Sequence, residues 1–372
     1  MTGAGEERIA SLLLQHLPAH YAVELVLFNG PIDYPLPEGQ ALTLLRRGST
    51  FRAFRLLSLP LLAYRYYRFC QQEHIDISLS FDTLPNIINC CLGWGGWAGR
   101  IWLREVNYVS RRFAGSHWSH RLHRYLLRRF YPYAHRLFVN ARRIGSDLVQ
   151  HYGISLSAVQ LMTNPLDMEL IAQSSAVPLE HRAAFVFIHV GAFRPQKNHR
   201  LLLEAFAQVE GEGVELWLVG KGPLEAAAKM LAKQYGIEER VRFWGFQSNP
   251  FRLMAAADCM VLSSNFEGLP NVLLEGLACG LPLIATDCPS GPREVLAPAT
   301  DYHKQLETGI EKARHGLLVP VGDANQLAKA MQKMLKSTHW RQELRARASD
   351  RIAEFQVQRI ISNFISQLEL EE

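Results

Sequence analysis

No lysine occurs in the first 180 residues, although arginine occurs there 18 times. A half whose permanent cationic side chains are all guanidinium keeps that charge at any working pH and offers planar forks to anionic oxygens. That half also holds 13 acidic residues, a net of +5, whereas residues 181–372 hold 22 basic and 22 acidic residues and balance to zero. Residues 46–68 carry six Arg and no acid, and residues 100–143 carry eleven Arg against Glu105 alone. Such asymmetry implies an anionic partner for the first half. Cysteine is scarce and unpaired: six residues (70, 90, 91, 259, 279, 288) lie mostly in apolar segments. This excludes a disulfide or zinc framework and fits buried thiols in a reducing cytoplasm. No Asp-x-Asp occurs, so the sequence indicates no obligatory metal. The 14 His have no ligand spacing; His117, His120 and His123 read as one face of a basic helical region. The opening Met-Thr-Gly-Ala-Gly-Glu-Glu is not a secretory leader. Thr83 to Gly99 is uncharged, but one Pro, two Asn and four Gly argue against a membrane span.

What is present is ample apolar material. A length of 372 residues with 48% hydrophobic content predicts two domains with a core each. Residues 6–17 have helical periodicity, Val23 to Phe28 reads as a strand, and 51–69 reads as one or two amphipathic helices broken at Pro60. Ile75 to Phe81, Ile101 to Val106 and Arg136 to Asn140 read as strands. Residues 118–130 read as a helix with Arg121, Arg124 and Arg128 in one stripe. From residue 184 the pattern becomes regular. Strands at Ala184–Val190, Val214–Val219, Val241–Trp244, Cys259–Leu262 and Leu283–Ala285 alternate with helices at 200–209, 224–235, 251–256 and 271–279. Such alternation implies a parallel, doubly wound sheet, with ligands at the carboxyl ends of its strands.

One of those ends is the most informative stretch, Phe266-Glu-Gly-Leu-Pro-Asn-Val-Leu-Leu-Glu-Gly276. Pro270 fits a first helical position and Gly280 a C-cap. A strand, a glycine-bearing turn and a helix N-terminus together make an anion site. Glu275 lies five residues beyond Pro270, roughly 7–8 Å along the axis. That offset suits a diphosphate at the helix start and ribose hydroxyls on Glu275, with Glu267 on the sugar side.

The two glutamates separated by seven residues resemble the hallmark of glycosyltransferase family 4. Gly191-Ala-Phe-Arg-Pro-Gln-Lys-Asn198 resembles that family's phosphate loop, and Val219-Gly-Lys-Gly-Pro-Leu224 its next strand-to-loop segment. Val241-Arg-Phe-Trp-Gly-Phe246 resembles the loop facing the base. Ala257 to Ser264 leads into the Glu motif, and His315 to Pro320 with Asp323 closes the domain. These segments span residues 184–330; residues 1–180 match loosely.

The resemblance implies a GT-B fold: two doubly wound Rossmann-like α/β domains facing a cleft. Residues 1–170 would form the acceptor-side domain, 171–182 a linker and 183–340 the donor domain. Residues 341–372 would be a helical tail crossing back to the first domain. The family opens with a strand and a Gly-Gly loop, so Gly3 and Gly5 imply that the first strand is missing and the start truncated. It also implies transfer of a sugar, with retention, from a nucleotide diphosphate sugar to a lipid-linked or polysaccharide acceptor. Catalytic candidates are Glu267, Lys197 and Arg194, the arginine displaced from the family's usual place at Ala192. Donor-binding candidates are Gly191, Arg194, Lys197, Gly245, Phe246, Gly268, Leu269, Asn271 and Glu275. Gly3, Gly5, Glu105 and Asn107 are the acceptor-side candidates. No cofactor, metal or nucleic-acid partner is expected. The partners implied are a nucleotide sugar, a glycan or lipid-linked acceptor and an anionic membrane surface, at the cytoplasmic face of the cell membrane. A nucleotide-sugar epimerase of the same fold, or a non-catalytic nucleotide-sugar-binding partner, are the alternatives. A hydride-transfer enzyme is excluded because Glu225 replaces the third glycine of a dinucleotide fingerprint.

Overall fold

The computed structural model describes residues 5–27, 36–37, 39–44, 59–176, 179 and 183–370. The chain divides into two compact units, Met1–Pro165 with Val357–Glu372, and Leu166–Gln356.

In unit 1, β1 (Leu25–Leu27) and β2 (Leu42–Leu44) form a parallel pair. A second sheet holds β3 (Ile77–Phe81), β4 (Arg100–Glu105), β5 (Arg136–Val139) and β6 (Val159–Leu161), all parallel and adjacent in chain order. Successive residues point to opposite faces. Ile101, Leu103, Leu137 and Val139 therefore meet the layer that contains Ile87, Leu127 and Ile144 from the crossover helices Thr83–Trp94, Trp118–Phe130 and Arg142–Tyr152. Trp102 and Phe138 meet Ile9 and Leu13 of helix Gly5–His16 and Ile360, Ile361 and Phe364 of helix Val357–Glu369. The uncharged stretch from Thr83 is a buried helix. Its Asn89 amide donates to the carbonyls of Ser78 and Trp102 (2.9 and 3.1 Å), and Asn86 to that of Arg104 (2.9 Å), stitching the helix to β3 and β4. No helix among the described residues is long and apolar enough to cross a membrane.

Unit 2 is built on β7 (Phe185–Val190), β8 (Val214–Val219), β9 (Val241–Gly245), β10 (Cys259–Leu262), β11 (Leu283–Thr286), β12 (Glu311–Ala313) and β13 (Gly316–Val319), in the spatial order β12-β13-β11-β10-β7-β8-β9. Only β12 is antiparallel to its neighbour. Each central strand is buried on both faces, Val186, Ile188, Met260 and Leu262 on one and Phe185, Phe187, Cys259 and Val261 on the other. Such strands read as unbroken apolar runs.

The unit boundaries differ from the expected linker and tail. The chain changes unit at Pro165, and helix Met168–Ser175 buries Ile171 in the core of unit 2, so the segment read as linker is partly structural. Helices Thr338–Ala346 and Ala348–Ile352 also belong to unit 2, and only the chain from Val357 belongs to unit 1. Gly3, the basic stretch 45–58 and residues 180–182 lie outside the described residues.

Candidate functional site

In unit 2 the chain runs outward from β7 to β8 and β9 on one side, and from β10 to β11 and β13 on the other. The order reverses between β7 and β10, and a crevice at such a switch point is where open α/β sheets take ligands. The loops leaving those two strands carry the Lys197 and Glu267 segments. They are laced together: Asn265 N–H donates to Gln196 O (2.8 Å), Asn265 Nδ2 to Pro195 O (2.9 Å), Asn198 Nδ2 to Asn265 Oδ1 (3.0 Å) and Ser263 Oγ to Lys197 O (2.9 Å). Asn198 adopts a left-handed conformation (φ 47°) and caps helix His199–Phe206 through Leu201 N–H. That residue type tolerates the left-handed region better than most and is a strong N-cap.

At the centre, Lys197 Nζ donates to Glu267 Oε1 at 2.6 Å, and Ser264 Oγ donates to the same oxygen at 2.6 Å. Gln196 Nε2 reaches Oε2 at 3.2 Å. Glu267 is only 6% exposed, so its carboxylate is held by charge and three donors rather than by water. Two of the catalytic candidates are thus brought into direct contact. Arg194, the third, is exposed in the same loop, and its backbone carbonyl accepts from Lys197 N–H (3.1 Å).

Beneath this pair lie two buried imidazoles. His189 hydrogen-bonds Val261 O through Nδ1 (2.8 Å), and a Cβ placed on Gly191 would stand 3.1 Å from its Nε2. His199 stacks on Phe193 with ring centroids 4.0 Å apart. Burial, reinforced by the neighbouring His199, pushes His189 well below its ordinary value; burial, then Lys197, pushes His199 down to about 4. The floor of the loop is neutral, and Lys197 supplies its charge.

Close backbone approach fixes the loops. Gly220 has φ 142°, and a Cβ there would lie 2.2 Å from Gly191 O. A bulge between β8 and β9 lets Gly245 (φ 66°) accept from Gly220 N–H at 2.8 Å and leaves Phe246 66% exposed beside Lys221. Behind the Glu267 loop, Pro289 O accepts from Glu267 N–H (3.4 Å), and a Cβ on Gly291 would lie 2.0 Å from Gly268 O. Helix Asn271–Ala278 begins where the apolar run placed it, but Pro270 is not its first helical residue. Pro270 is its N-cap, held at a non-helical ψ of 100°. Leu281 N–H bonds Gly276 O and Gly280 N–H bonds Leu277 O, so Gly280 (φ 71°) follows the C-cap in a Schellman closure. Leu269 is buried in the core, so it can offer a ligand only its backbone. Glu275 and Asn271 are half-buried on that helix.

The acceptor-side candidates of unit 1 behave differently. Glu105 is fully buried and accepts from Thr83 Oγ1, Tyr131 OH, Asn107 N–H and Asn107 Nδ2, all between 2.8 and 3.0 Å. Burial raises its carboxyl above the usual range, as does the nearby Asp82. It is a structural anchor with its hydrogen-bonding sites taken, and Asn107 is its partner. Gly5 opens helix Gly5–His16, and the next residue, Glu6, pairs with Arg104 of β4 at 3.0 Å. Sequence reasoning passed over Ser264 and Gln196. Their places in the two loops, three residues before Glu267 and one before Lys197, were the available signal.

Residues 173–354 match the family described as glycosyl transferases group 1. The chain is 30% identical over 352 residues to the Campylobacter jejuni N-acetylgalactosamine-N,N'-diacetylbacillosaminyl-diphospho-undecaprenol 4-alpha-N-acetylgalactosaminyltransferase, covering 94% of this chain and 92% of that one. Among solved structures, the lipopolysaccharide outer core galactosyltransferase WaaB is similar with a TM-score of 0.75 at 19% identity, over 100% of this chain and 97% of that one. Anabaena HepE in complex with UDP is similar with a TM-score of 0.69 at 19% identity, over 88% of this chain and 86% of that one. The likeness to these structures establishes the fold, that of the GT-B enzymes. The 30% identity spans both units, and with it the chain belongs to the group 1 glycosyltransferases.

Proposed function

We propose that this glycosyltransferase moves a hexose-type sugar, with retention, from a nucleotide diphosphate sugar to a lipid-linked or growing surface glycan. The observation that carries the reading is the Lys197–Glu267 pair, on two loops laced across the β7/β10 switch point. A diphosphate oxygen competes with Glu267 for Lys197, and Arg194 adds a second cation from the same loop. Gly191, Gly268, Leu269 and Asn271 line the diphosphate with backbone and the helix N-terminus, Glu275 accepts the ribose hydroxyls, and Gly245 and Phe246 meet the base. Glu267, freed from Lys197, accepts a sugar hydroxyl. In the transfer, the acceptor oxygen bonds the anomeric carbon, the bond from that carbon to the diphosphate oxygen breaks, and the acceptor's proton ends on the departing diphosphate. The protein positions the reactants and neutralises the charge that develops on the leaving group. No cofactor or obligatory metal enters this scheme.

The acceptor class is supported by the relative whose name specifies a diphospho-undecaprenol substrate. Exposed Trp94, Trp118 and Tyr125 stand among arginines in unit 1, Arg129 lying 5.8 Å from the Trp94 ring. Aromatic and guanidinium side chains so mixed suit the headgroup region of an anionic bilayer, and we place the enzyme on the cytoplasmic membrane face. Calorimetric titration with a panel of nucleoside diphosphates tests the donor half: wild type binds one of them, and Lys197→Ala binds it at least tenfold more weakly. Equal binding by both proteins removes the assignment.

A further inference from the structure

We propose that Asp82, in unit 1, holds a hydroxyl of the saccharide acceptor. The inference rests on the transfer reading above. Asp82 is the first residue after β3, with φ 70° and ψ 155°. That region belongs almost entirely to glycine, and another residue held there is strained and persists only where its surroundings enforce it. The surroundings here act on one oxygen. Oδ1 accepts from Thr83 N–H (2.8 Å), Asn107 Nδ2 (3.2 Å) and Arg112 Nη1 (3.3 Å). Oδ2 accepts from no group among the described residues, and the side chain is 52% exposed. The carboxylate is therefore oriented through one oxygen and presented through the other. Asn107 also donates to buried Glu105 Oε1 (2.8 Å), so Glu105 positions Asp82 through Asn107 rather than meeting a ligand itself.

A second group at the same rim points to a ligand independently. Phe81 pairs with Arg104, and Glu105 with Val139, so Asp82, Glu105 and Asn140 stand at the carboxyl ends of three neighbouring strands. Asn140 is 3% exposed and its Oδ1 has no hydrogen-bond partner. A buried acceptor without a donor is rare and calls for an explanation. Two acceptor oxygens select a ligand that donates hydrogen bonds. The hydroxyls of a saccharide fit, whereas a phosphate would be repelled by the carboxylate.

The unusual backbone supplies the test. Asp82→Gly removes the carboxylate yet suits φ 70°, and glycine is well tolerated at an N-cap. Its thermal midpoint is expected to equal or exceed that of wild type, with nucleoside diphosphate affinity unchanged. Transfer from UDP-hexoses to a polyprenyl-diphosphate-linked N-acetylhexosamine is expected to fall at least 30-fold, chiefly in the acceptor KM, while slow hydrolysis of the donor persists. Asp82→Asn, which keeps the shape, should show the same split. Transfer within twofold of wild type in both variants overturns the inference, as does a loss that merely tracks a lowered midpoint. A wild type that binds a nucleoside diphosphate but transfers to no saccharide probe also overturns it and leaves the donor assignment standing. A wild type that binds no nucleoside diphosphate removes the transfer reading itself.

Discussion

Glu267 receives a lysine, a serine and a glutamine within hydrogen-bonding distance, so its removal unbalances more than one bond. Glu267→Gln keeps the shape and most of those contacts, and is expected to bind plain nucleoside diphosphate normally while transferring about 100-fold more slowly in a single-turnover assay. Glu275→Ala should instead weaken nucleoside diphosphate binding by about 1.5–3 kcal/mol, the cost of a charge-assisted hydrogen bond lost from a half-buried site, read by calorimetry. His199 gives a pH signature. The folded ring titrates near 4 and the unfolded ring near 6.5, so between these values the unfolded chain binds a proton that the folded chain refuses. Its stabilising effect is complete above about pH 6.5 and is lost on acidification towards 4, by roughly 3 kcal/mol at about 1.4 kcal/mol per pH unit. Phenylalanine at this position keeps the stack on Phe193 and cannot titrate. Urea unfolding at pH 7 and 4.5 should therefore show a smaller acid loss for His199→Phe than for wild type. The charged members of the site were legible because glutamate and lysine stand in a recognisable spacing. The uncharged members were not, because serine, glutamine and buried imidazole occur in any loop or core and acquire their roles only when two loops meet.

Loops that approach through glycine tolerate no side chain. Alanine at position 220 would drive a Cβ into the Gly191 carbonyl in a conformation hostile to L-residues, and is expected to lower stability by at least about 2 kcal/mol and to weaken nucleotide binding with it. Equilibrium denaturation and calorimetry on the same preparation check both effects. Strands β7 to β11 of unit 2 were readable to within a residue or two because burial on both faces leaves a continuous apolar run, whereas β13, equally buried, was not read as a strand. The three-residue strands β2, β6 and β12 carry too little sequence to show a period. Helix Thr83–Trp94 was considered only as a membrane span, since its Asn86 and Asn89 look like interruptions until β3 and β4 supply carbonyls for them. The stretch from 171 looked like a linker because Gln173-Ser-Ser is polar, while Ile171 is buried in the core and Leu179 packs against it.

At the level of the whole molecule the charge asymmetry predicts a binding property. The arginines of the first half, near exposed Trp94, Trp118 and Tyr125, should bring the protein to anionic vesicles, each basic group near the surface contributing about 1 kcal/mol within a Debye length. Sedimentation with phosphatidylserine vesicles should be strong at low salt, weak at 0.5 M salt and absent with neutral lipid; equal sedimentation with both lipids would contradict the membrane assignment. The division of the chain was only partly visible in the sequence, because a crossing point is set by which core a helix joins. The two crossings are themselves tied, Leu166 N–H donating to Phe355 O at 2.7 Å beside a parallel bridge from Leu166 to Gln356. Unit 2 thus leaves and returns at one spot, as an insertion within unit 1. On the ribosome this imposes a schedule: Trp102 and Phe138 are made early, yet the helix Val357–Glu369 that covers them is made only after all of unit 2. The half synthesised first is the half completed second, and until that helix emerges the only described helix that covers its aromatic face is Gly5–His16.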